Sequence, residues 1–318
     1  MMNALIIGLG NIGLRHLQGL SNLNNDEINV YLFDKSNKYF SKFKNELKSL
    51  EKKIAINFVS NNINNLSKIN FDITIISTDA SQRIEILNNI VDSLNSRFIL
   101  LEKPICNSIK DLEILKKSNF KNVYVNFPRR YCNWHNKIKK KIINDYSNHK
   151  LKVEITGRNL GIACNISHYV DLVHSWTGQY PIDINHSELS NWKKTKREGF
   201  FDLDGKIKVT FRKNHVLNIC SDVKYNSMKI NITGDNNNIC LIDYKKGSAI
   251  FKDKVILNGN YKLQSDTTNV LYEKLINKKI DQICDLKTAV RCYEKILYSF
   301  IEHWNKRNKS NLKQIMIT

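Results

Sequence analysis

Ala4-Leu5-Ile6-Ile7-Gly8-Leu9-Gly10-Asn11-Ile12-Gly13-Leu14 opens the chain and decides its fold, because an apolar run leads directly into Gly-x-Gly-x-x-Gly and then into helical spacing. Gly8 permits a tight turn out of a strand, Gly10 lets the backbone approach a pyrophosphate, and Gly13 lets the next helix lie close to the sheet. The start of that helix, at Asn11 and Ile12, offers free N–H groups and a positive dipole end to phosphates. The sequence therefore predicts a dinucleotide-binding turn.

A second strand and an acidic residue follow at a suitable distance. Val30-Tyr31-Leu32-Phe33 is a β-type run that ends at Asp34, about 20 residues after Gly13, where a carboxylate would accept hydrogen bonds from the adenosine ribose. The charge of Asp34 opposes a 2′-phosphate and favours NAD, while Lys35, Ser36 and Lys38 leave NADP open. The alternative is a structural glycine turn beside a solvated Asp34.

Length and composition indicate a soluble, two-domain protein. The chain has 318 residues, of which 42% are hydrophobic, enough for a sizeable core. No window approaches the ~18 consecutive apolar residues that span a membrane, and the N-terminus lacks the basic leader of a signal peptide. The seven cysteines are scattered and never spaced as Cys-x-x-Cys, which favours reduced thiols in the cytoplasm over disulfides or zinc.

The strongly basic balance does not by itself identify a partner. There are 50 Lys and Arg against 30 Asp and Glu, a formal charge of +20. The lysines are spread along helix faces, with modest clusters at residues 137–141 and 193–197, and no nucleic-acid module accompanies them. We therefore expect a solvated surface with neither a nucleic-acid nor a membrane partner, and a basic cleft suited to an anionic small molecule.

The first third of the chain alternates strands with helices. Phe71–Ile76 is an apolar strand followed by Ser77 and Thr78, at the strand end where ligands bind in such sheets. The alternative for these hydroxyls is an N-cap of the helix predicted near residues 82–94. The next strand, residues 97–101, ends in Glu102-Lys103-Pro104. This order predicts a doubly wound parallel sheet, the Rossmann fold, over residues 1–125.

Glu102-Lys103-Pro104 at a strand end, together with the glycine turn, resembles the Gfo/Idh/MocA oxidoreductases, the group of glucose-fructose oxidoreductase and inositol dehydrogenase. The resemblance covers the whole chain and continues through Asn-Phe-Pro-Arg-Arg-Tyr at 126–131 and Ile-Ser-His-Tyr-Val-Asp at 166–171. The second of these segments is similar to the family's second-domain helix, which carries His-x-x-Asp. The resemblance implies an α+β second domain, residues 126–318, with a large open and mostly antiparallel sheet.

Lys103 and His168 are the predicted catalytic residues. A lysine at the carboxyl end of a Rossmann strand lies beside the nicotinamide, where its ammonium can polarise a substrate oxygen. His168 can serve as the general base because imidazole titrates near neutrality; the alternative is a hydrogen-bonded core histidine. The cofactor site is predicted to include Gly8, Gly10, Asn11, Ile12, Gly13, Asp34, Ser77, Thr78, Glu102 and Lys103.

Substrate contacts are predicted at Arg130, Cys164, Asn165 and Asp171. Asp171 lies three residues after His168, hence on the same helix face, where it can either orient the imidazole or pair with another residue. Many members of the resembled family carry Asp four residues before the His, where this chain has Cys164. A carboxylate that would share the proton transfer is therefore missing from this position.

Beyond the His helix, strands follow one another, as expected of an antiparallel sheet. The predicted strands are Lys152–Gly157, Lys206–Phe211, Val216–Ser221, Met228–Thr233, Asn238–Asp243 and Ala249–Phe251. Amphipathic helices are predicted at 267–279 and 286–305, partly packing back on the first domain. In the resembled family the open sheet makes a dimer, so we expect a homo-oligomer, a dimer or tetramer. No metal site is predicted, because His168, Asp171 and His174 lack a fourth ligand.

The sequence thus predicts a cytoplasmic NAD(P)-dependent oxidoreductase of a sugar, a sugar acid or a nucleotide-linked sugar, with surface-glycan synthesis as one setting. Lys103 would polarise the reacting oxygen and His168 would move the proton. The alternative is a dinucleotide-binding sensor of the same fold without catalysis.

Overall fold

The computed structural model describes residues 2–23, 27–36, 38–59, 63–260, 264–277 and 279–317. The chain forms two compact units. The first comprises Met1–Cys106, Lys117–Tyr131 and Lys262–Leu286, and the second comprises Asn107–Lys116, Cys132–Tyr261 and Lys287–Thr318. The sequence predicts one boundary near residue 125, whereas each of these units draws on separate segments of the chain.

Helices and strands alternate up to residue 125. The elements are β1 (Met2–Ile7), α1 (Asn11–Leu20), β2 (Ile28–Phe33), α2 (Lys38–Lys42), α3 (Lys44–Leu50), β3 (Ala55–Val59), β4 (Asn70–Phe71), β5 (Ile73–Ile76), α4 (Arg83–Ser93), β6 (Asn95–Ser96), β7 (Ile99–Leu101), α5 (Ile109–Lys117) and β8 (Val123–Val125). Short 3₁₀ turns lie at Ile63–Leu66 and Pro128–Arg130.

Strands predominate in the rest of the chain. The elements are α6 (Asn133–Tyr146), β9 (Leu151–Gly157), α7 (Ile162–Thr177), β10 (Pro181–Asn185), β11 (Lys193–Lys194), β12 (Phe201–Asp202), β13 (Gly205–Phe211), β14 (Val216–Ser221), β15 (Lys229–Gly234), β16 (Asn237–Asp243), β17 (Ser248–Phe251), β18 (Ile256–Asn258), α8 (Gln264–Ile276), β19 (Cys284–Asp285) and α9 (Leu286–Asn308). Further 3₁₀ turns lie at Arg212–Asn214 and Ile280–Gln282.

The first unit is built on a sheet with strand order β3-β2-β1-β5-β7-β8-β19. Neighbouring strands run parallel from β3 to β8, and β19 pairs antiparallel with β8. The order reverses between β1 and β5, which is the switch point of a doubly wound sheet. The predicted Rossmann fold is confirmed.

Apolar side chains from distant parts of the sequence form the core of the first unit. Leu14 and Leu17 of α1 belong to the same buried cluster as Leu271, Tyr272 and Leu275 of α8. The spacings of three and four residues place each set on one helix face. Because α8 buries its apolar stripe there, it completes the first unit although it follows most of the second in sequence.

The second unit is built on a mixed sheet with strand order β10-β13-β14-β9-β15-β16-β17-β18. The pair β9 and β14 is parallel and the other pairs are antiparallel. Along β9, the side chains of Leu151, Val153 and Ile155 are buried, whereas those of Lys152 and Glu154 point to the other face. Helix α7 packs against β14 and α6. The predicted α+β second domain with a mostly antiparallel sheet is confirmed.

Several elements differ from the sequence-based expectation. The helical spacing of residues 39–50 predicts one helix, but the chain forms α2 and α3 there, because Phe43 leaves helical geometry (φ −105°, ψ 21°) and is buried in the core. The predicted strands do not include β6, β10, β11, β12, β18 and β19. Helix α8 ends at Ile276, and residue 278 of the helix expected at 267–279 lies outside the described residues. Among the residues that the structure describes, no helix is long and apolar enough to cross a membrane.

Candidate active site

The carboxyl ends of the parallel strands lie level along one edge of the first sheet. Ile7 pairs with Phe33 and Ile76, and Leu101 pairs with Ile76 and Val125. The residues that follow these aligned positions are Gly8, Asp34, Ser77, Glu102 and Asn126. Four of the predicted cofactor residues are therefore brought together, at the edge where ligands bind in doubly wound sheets.

The glycine turn is tightly packed at Gly8 and Gly13 and open at Gly10. Gly8 has φ +94°, and a Cβ there would lie 2.9 Å from the backbone nitrogen of Thr78. A Cβ on Gly13 would lie 2.0 Å from the carbonyl oxygen of Gly8, whereas a Cβ on Gly10 would meet nothing within 4 Å. Ser77 Oγ donates a hydrogen bond of 2.7 Å to the Gly8 carbonyl. Packing thus requires Gly8 and Gly13, while the space at Gly10 is available to a ligand.

Helix α1 begins beside that open space. Its N-cap is Gly10, it has no side-chain cap within the described residues, and its first turn contains no acidic residue. Asn11 and Ile12 are exposed, and the Lys42 ammonium lies 3.4 Å from Asn11 Oδ1. Uncapped N–H groups, the helix dipole and a nearby cation all favour an anion. These residues fit the pyrophosphate of a dinucleotide.

Asp34 has a structural role at the end of β2. One carboxylate oxygen accepts the Leu9 N–H at 2.6 Å, and the other accepts the Ser36 N–H at 2.8 Å. The side chain therefore also fixes the glycine turn. Each carboxylate oxygen has a second lone pair, so the half-buried Asp34 keeps acceptor capacity for ribose hydroxyls.

Ser77 and Thr78 do not cap the helix that follows them. The N-cap of α4 is Gln82, and no side chain of the described residues caps this helix. Thr78 Oγ1 is buried and makes no hydrogen bond to the described residues, as expected of a group with a ligand for a partner. The Arg83 guanidinium donates to the carbonyl oxygens of Thr78 and Pro104. Arg83 thereby connects the ends of β5 and β7.

The segment Glu102-Lys103-Pro104 turns away from the end of β7. The peptide bond between Lys103 and Pro104 is cis. Lys103 is partly exposed, whereas Glu102 is buried. The lysine side chain is thus accessible at the carboxyl edge, and the glutamate side chain is directed into the protein.

Glu102 belongs to a chain of buried hydrogen bonds that sequence reasoning missed. Its Oε1 atom accepts from His16 Nε2 at 2.9 Å and from Asn126 Nδ2 at 2.5 Å. The other nitrogen of His16 lies 2.5 Å from the Tyr272 hydroxyl, and the Tyr131 hydroxyl donates to Asn126 Oδ1 at 2.6 Å. All five residues are buried. The sequence signal was weak: His16 is one polar residue on an otherwise apolar helix face.

Electrostatics in this network favour an ionised carboxylate. Burial alone would raise the pKa of Glu102, but the hydrogen bond and charge of His16, the Asn126 amide and the charge of Lys103 together hold that pKa below its usual value. Burial and the Glu102 charge raise the pKa of the Tyr272 hydroxyl well above its usual range. Because an ionised carboxylate only accepts, His16 Nε2 carries the hydrogen of its bond to Glu102.

Helix α7 of the second unit carries four of the predicted residues, Cys164, Asn165, His168 and Asp171. Cys164, Asn165 and His168 are partly exposed, while Asp171 is fully buried. Cys164 and His168 are four residues apart and share a helix face. Asn165 Nδ2 donates to the Leu160 carbonyl at 2.8 Å.

Asp202 of β12 supplies a carboxylate to the start of α7. The helix begins after Gly161, which has φ +64°, and Asp202 Oδ1 accepts the Ala163 N–H at 2.7 Å. A Cβ on Gly161 would lie 3.0 Å from Asp202 Oδ2 and 3.1 Å from Asn165 Nδ2. Burial raises the pKa of Asp202, against the opposing effect of the N–H groups of Leu203, Ala163 and Cys164. No local sequence pattern pointed to this residue, which is 39 positions from Ala163, whose N–H it accepts.

The predicted residues thus divide between the units. Arg130 lies in the 3₁₀ turn after β8, in the first unit with Lys103, and the four residues of α7 are in the second. His174 contacts residues just beyond the end of α7. Its Nδ1 atom lies 3.0 Å from the Gln179 carbonyl oxygen, and its ring centroid lies 4.5 Å from that of Tyr180. Within the described ranges, no group of three or more His, Cys, Asp or Glu residues is arranged to hold a metal ion.

The strand order, the glycine turn and the acidic residue after β2 define a dinucleotide-binding protein of the Rossmann class. Residues 2–125 match the model of the Gfo/Idh/MocA family, described as an oxidoreductase family with an NAD-binding Rossmann fold. Over these residues the chain is similar to the NAD-binding domain of this oxidoreductase family. The predicted family resemblance and the prediction of NAD as cofactor are confirmed. A search of curated protein sequences gives no match.

Solved structures share the fold over nearly the whole chain. Myo-inositol dehydrogenase from Lactobacillus casei, in complex with NAD(H) and myo-inositol, is 14% identical, with a TM-score of 0.68 over 96% of this chain and 95% of that one. UDP-N-acetylglucosamine 3-dehydrogenase from Acidithiobacillus ferrooxidans is 13% identical, with a TM-score of 0.68 over 95% and 98%. Scyllo-inositol dehydrogenase from L. casei is 11% identical, with a TM-score of 0.65 over 97% and 98%. At these identities the likeness concerns the fold.

Proposed function

We propose that the protein is an NAD-dependent dehydrogenase that acts on a CH–OH group of a sugar-type substrate. The observation that carries this proposal is the level carboxyl edge of the first sheet, where the open glycine turn, Asp34 and the Lys103 segment come together. The match of residues 2–125 to an NAD-binding oxidoreductase family supports it.

The first unit binds the cofactor in this proposal. The N–H groups at Asn11 and Ile12 receive the pyrophosphate above Gly10, and Asp34 receives the ribose hydroxyls. Ser77 holds the glycine turn through its bond to Gly8. When bound, NAD supplies the hydride acceptor or donor of the reaction.

In the proposed reaction, Lys103 stabilises charge on the substrate and His168 transfers a proton. The Lys103 ammonium stabilises negative charge on the substrate oxygen, and His168 takes the hydroxyl proton in the oxidative direction. The buried Asp171 orients the imidazole from the next turn of α7. Arg130, Cys164 and Asn165 are proposed substrate contacts.

The proposed substrate is a polyol, a sugar acid or a nucleotide-linked sugar. Two of the similar structures are named as inositol dehydrogenases and a third as a dehydrogenase of UDP-N-acetylglucosamine. The +20 formal charge of this chain favours the anionic members of this class, as in surface-glycan synthesis. We also propose that the face of the second sheet bearing Lys152 and Glu154 joins two copies of the chain, which sedimentation of the purified protein would test.

An absorbance assay tests the proposed activity. The purified protein is mixed with NAD⁺ or NADP⁺ and, in turn, myo-inositol, scyllo-inositol, glucuronate or UDP-N-acetylglucosamine, and the absorbance of reduced nicotinamide is followed at about 340 nm. We expect turnover with NAD⁺ of at least one of them and a loss of about 10²–10³-fold in kcat in Lys103→Ala. Tight NADH binding without any turnover would instead support the non-catalytic sensor, and unchanged turnover in Lys103→Ala would refute the role of Lys103.

A further inference from the structure

We propose that Glu102 is a positioning residue for Lys103 and that His16 anchors Glu102. This arrangement would hold α1 and the segment Glu102-Lys103-Pro104 in a fixed position relative to each other. The proposal rests on the proposed function through the role of Lys103. It assigns Glu102 a different role from the predicted cofactor contact, because its carboxylate is directed into the protein.

The connections of Glu102 explain how a buried side chain can fix an exposed neighbour. The carboxylate is joined to α1 through His16 and to the end of β8 through Asn126. Those two residues are in turn bonded to Tyr272 of α8 and to Tyr131 after the 3₁₀ turn. The backbone that leads into Lys103 is therefore restrained from four other segments of the same unit.

The energetics require that this network stay complete. A buried carboxylate is costly to keep without its donors, and a buried donor is costly to keep without its acceptor. Each bond in the network therefore discourages movement of the residues that it joins. The Arg83 guanidinium holds the opposite end of the segment, at the Pro104 carbonyl. Lys103 thus lies between two fixed points.

The connection to α1 has a specific consequence. His16 follows Gly13 by three residues and lies on the helix whose N-terminus faces the open space at Gly10. The pair His16 and Glu102 therefore ties the helix proposed to bind the pyrophosphate to the segment proposed to bind the reacting oxygen. Because small displacements of a reacting group are costly in rate, the pair would keep these two sites at a constant separation.

The first measurement needs no substrate. Lysines are acetylated with limiting acetic anhydride, and mass spectrometry gives the ratio of labelling at Lys103 to that at the exposed Lys52. We expect Glu102→Gln and His16→Phe to raise this ratio by about threefold or more, because the segment loses its anchor. His16→Gln, which keeps a donor for Oε1, should restore most of the wild-type value.

Thr74→Val is the matched control. Thr74 is fully buried in β5 of the same unit and is hydrogen-bonded to Ser96 at 2.8 Å, outside the network. The Thr74→Val variant should be less stable than the wild type, but its ratio of labelling at Lys103 to labelling at Lys52 should be unchanged. An unchanged ratio in Glu102→Gln, or an equal rise in Thr74→Val, would overturn the positioning role.

The second measurement separates positioning from cofactor contact. We expect Glu102→Gln to keep the NADH dissociation constant within about twofold and to lower kcat by about tenfold or more on whichever sugar the wild type oxidises. A weakened NADH affinity with kcat unchanged would show that Glu102 contacts the cofactor instead. If the wild type oxidises no sugar, the proposed function fails, while the labelling ratio still decides the positioning role.

Discussion

The carboxyl edge of the first sheet and the start of α7 contribute residues in different ways. At the sheet edge, Gly8, Asp34, Ser77 and Glu102 come together because parallel strands end in register. On α7, Cys164, His168 and Asp171 follow helical spacing along one element, and their helix is capped by Asp202 from another strand. The comparison teaches that cofactor binding should depend on the first unit, whereas proton transfer should depend on the placement of one helix in the second.

The largest effect that tests this division is expected at His168. His168→Gln removes the proposed base and should lower kcat by about 10²–10⁴-fold, while the NADH dissociation constant, which depends on the first unit, stays unchanged in titrations of NADH fluorescence. His174→Gln is the control on the same helix, since His174 contacts Gln179 and Tyr180, and it should keep wild-type turnover. Weaker NADH binding in His168→Gln would break the division between the units.

Two alanine substitutions in the glycine turn should separate packing from binding. Gly13→Ala places a Cβ 2.0 Å from the Gly8 carbonyl, so we expect the free energy of unfolding to fall by about 3 kcal/mol or more. Gly10→Ala meets no protein atom within 4 Å and should weaken NADH binding by about tenfold or more, because the methyl group occupies the space of the pyrophosphate. Urea unfolding and NADH titration measure the two effects. Similar unfolding curves for both variants would contradict the proposed geometry.

The smallest effect concerns the cap of α7. Asp202→Ala removes the acceptor of the Ala163 N–H and should cost about 1 kcal/mol of stability. Asp202→Asn keeps an acceptor and removes a charge whose burial raises the pKa of this carboxyl. A raised pKa means that the folded state binds the proton more tightly, so wild-type stability falls, relative to Asp202→Asn, as the pH rises through that pKa.

Urea unfolding of the three Asp202 proteins at pH 4 and pH 7 measures this effect. The stability of Asp202→Asn relative to wild type should be higher at pH 7 than at pH 4. The opposite order would show that the N–H groups outweigh burial at this carboxylate.

The sheet edge was predictable because its signals are local and its assembly follows a general rule. The apolar run, the three glycines and Asp34 each have a short-range cause, and a parallel sheet brings the ends of its strands together. The break at Phe43 between α2 and α3 was not predictable, because burial of one ring overrides helical spacing.

The parts that sequence reasoning missed depend on contacts between distant residues. The bond from Asp202 to Ala163 and the bond from His16 to Tyr272 join positions 39 and 256 residues apart. A single polar residue at either end of such a hydrogen bond produces no periodic pattern in the sequence. The hydrogen bonds of Glu102 were missed for the same reason, since its position at a strand end indicates a ligand contact and its partners alone reveal the inward direction of its side chain.

The return of α8 and β19 to the first unit sets a condition on biosynthesis. A ribosome makes the glycine turn first, yet Leu271, Tyr272 and Leu275, which cover α1, are made only after the whole of the second sheet. The nucleotide domain therefore cannot complete its own core until synthesis has passed Leu275, beyond the whole of the second sheet. A fragment that stops at residue 125 would leave that apolar face of α1 uncovered, and a functional nucleotide domain made by protein engineering would need residues 264–286 joined back to it.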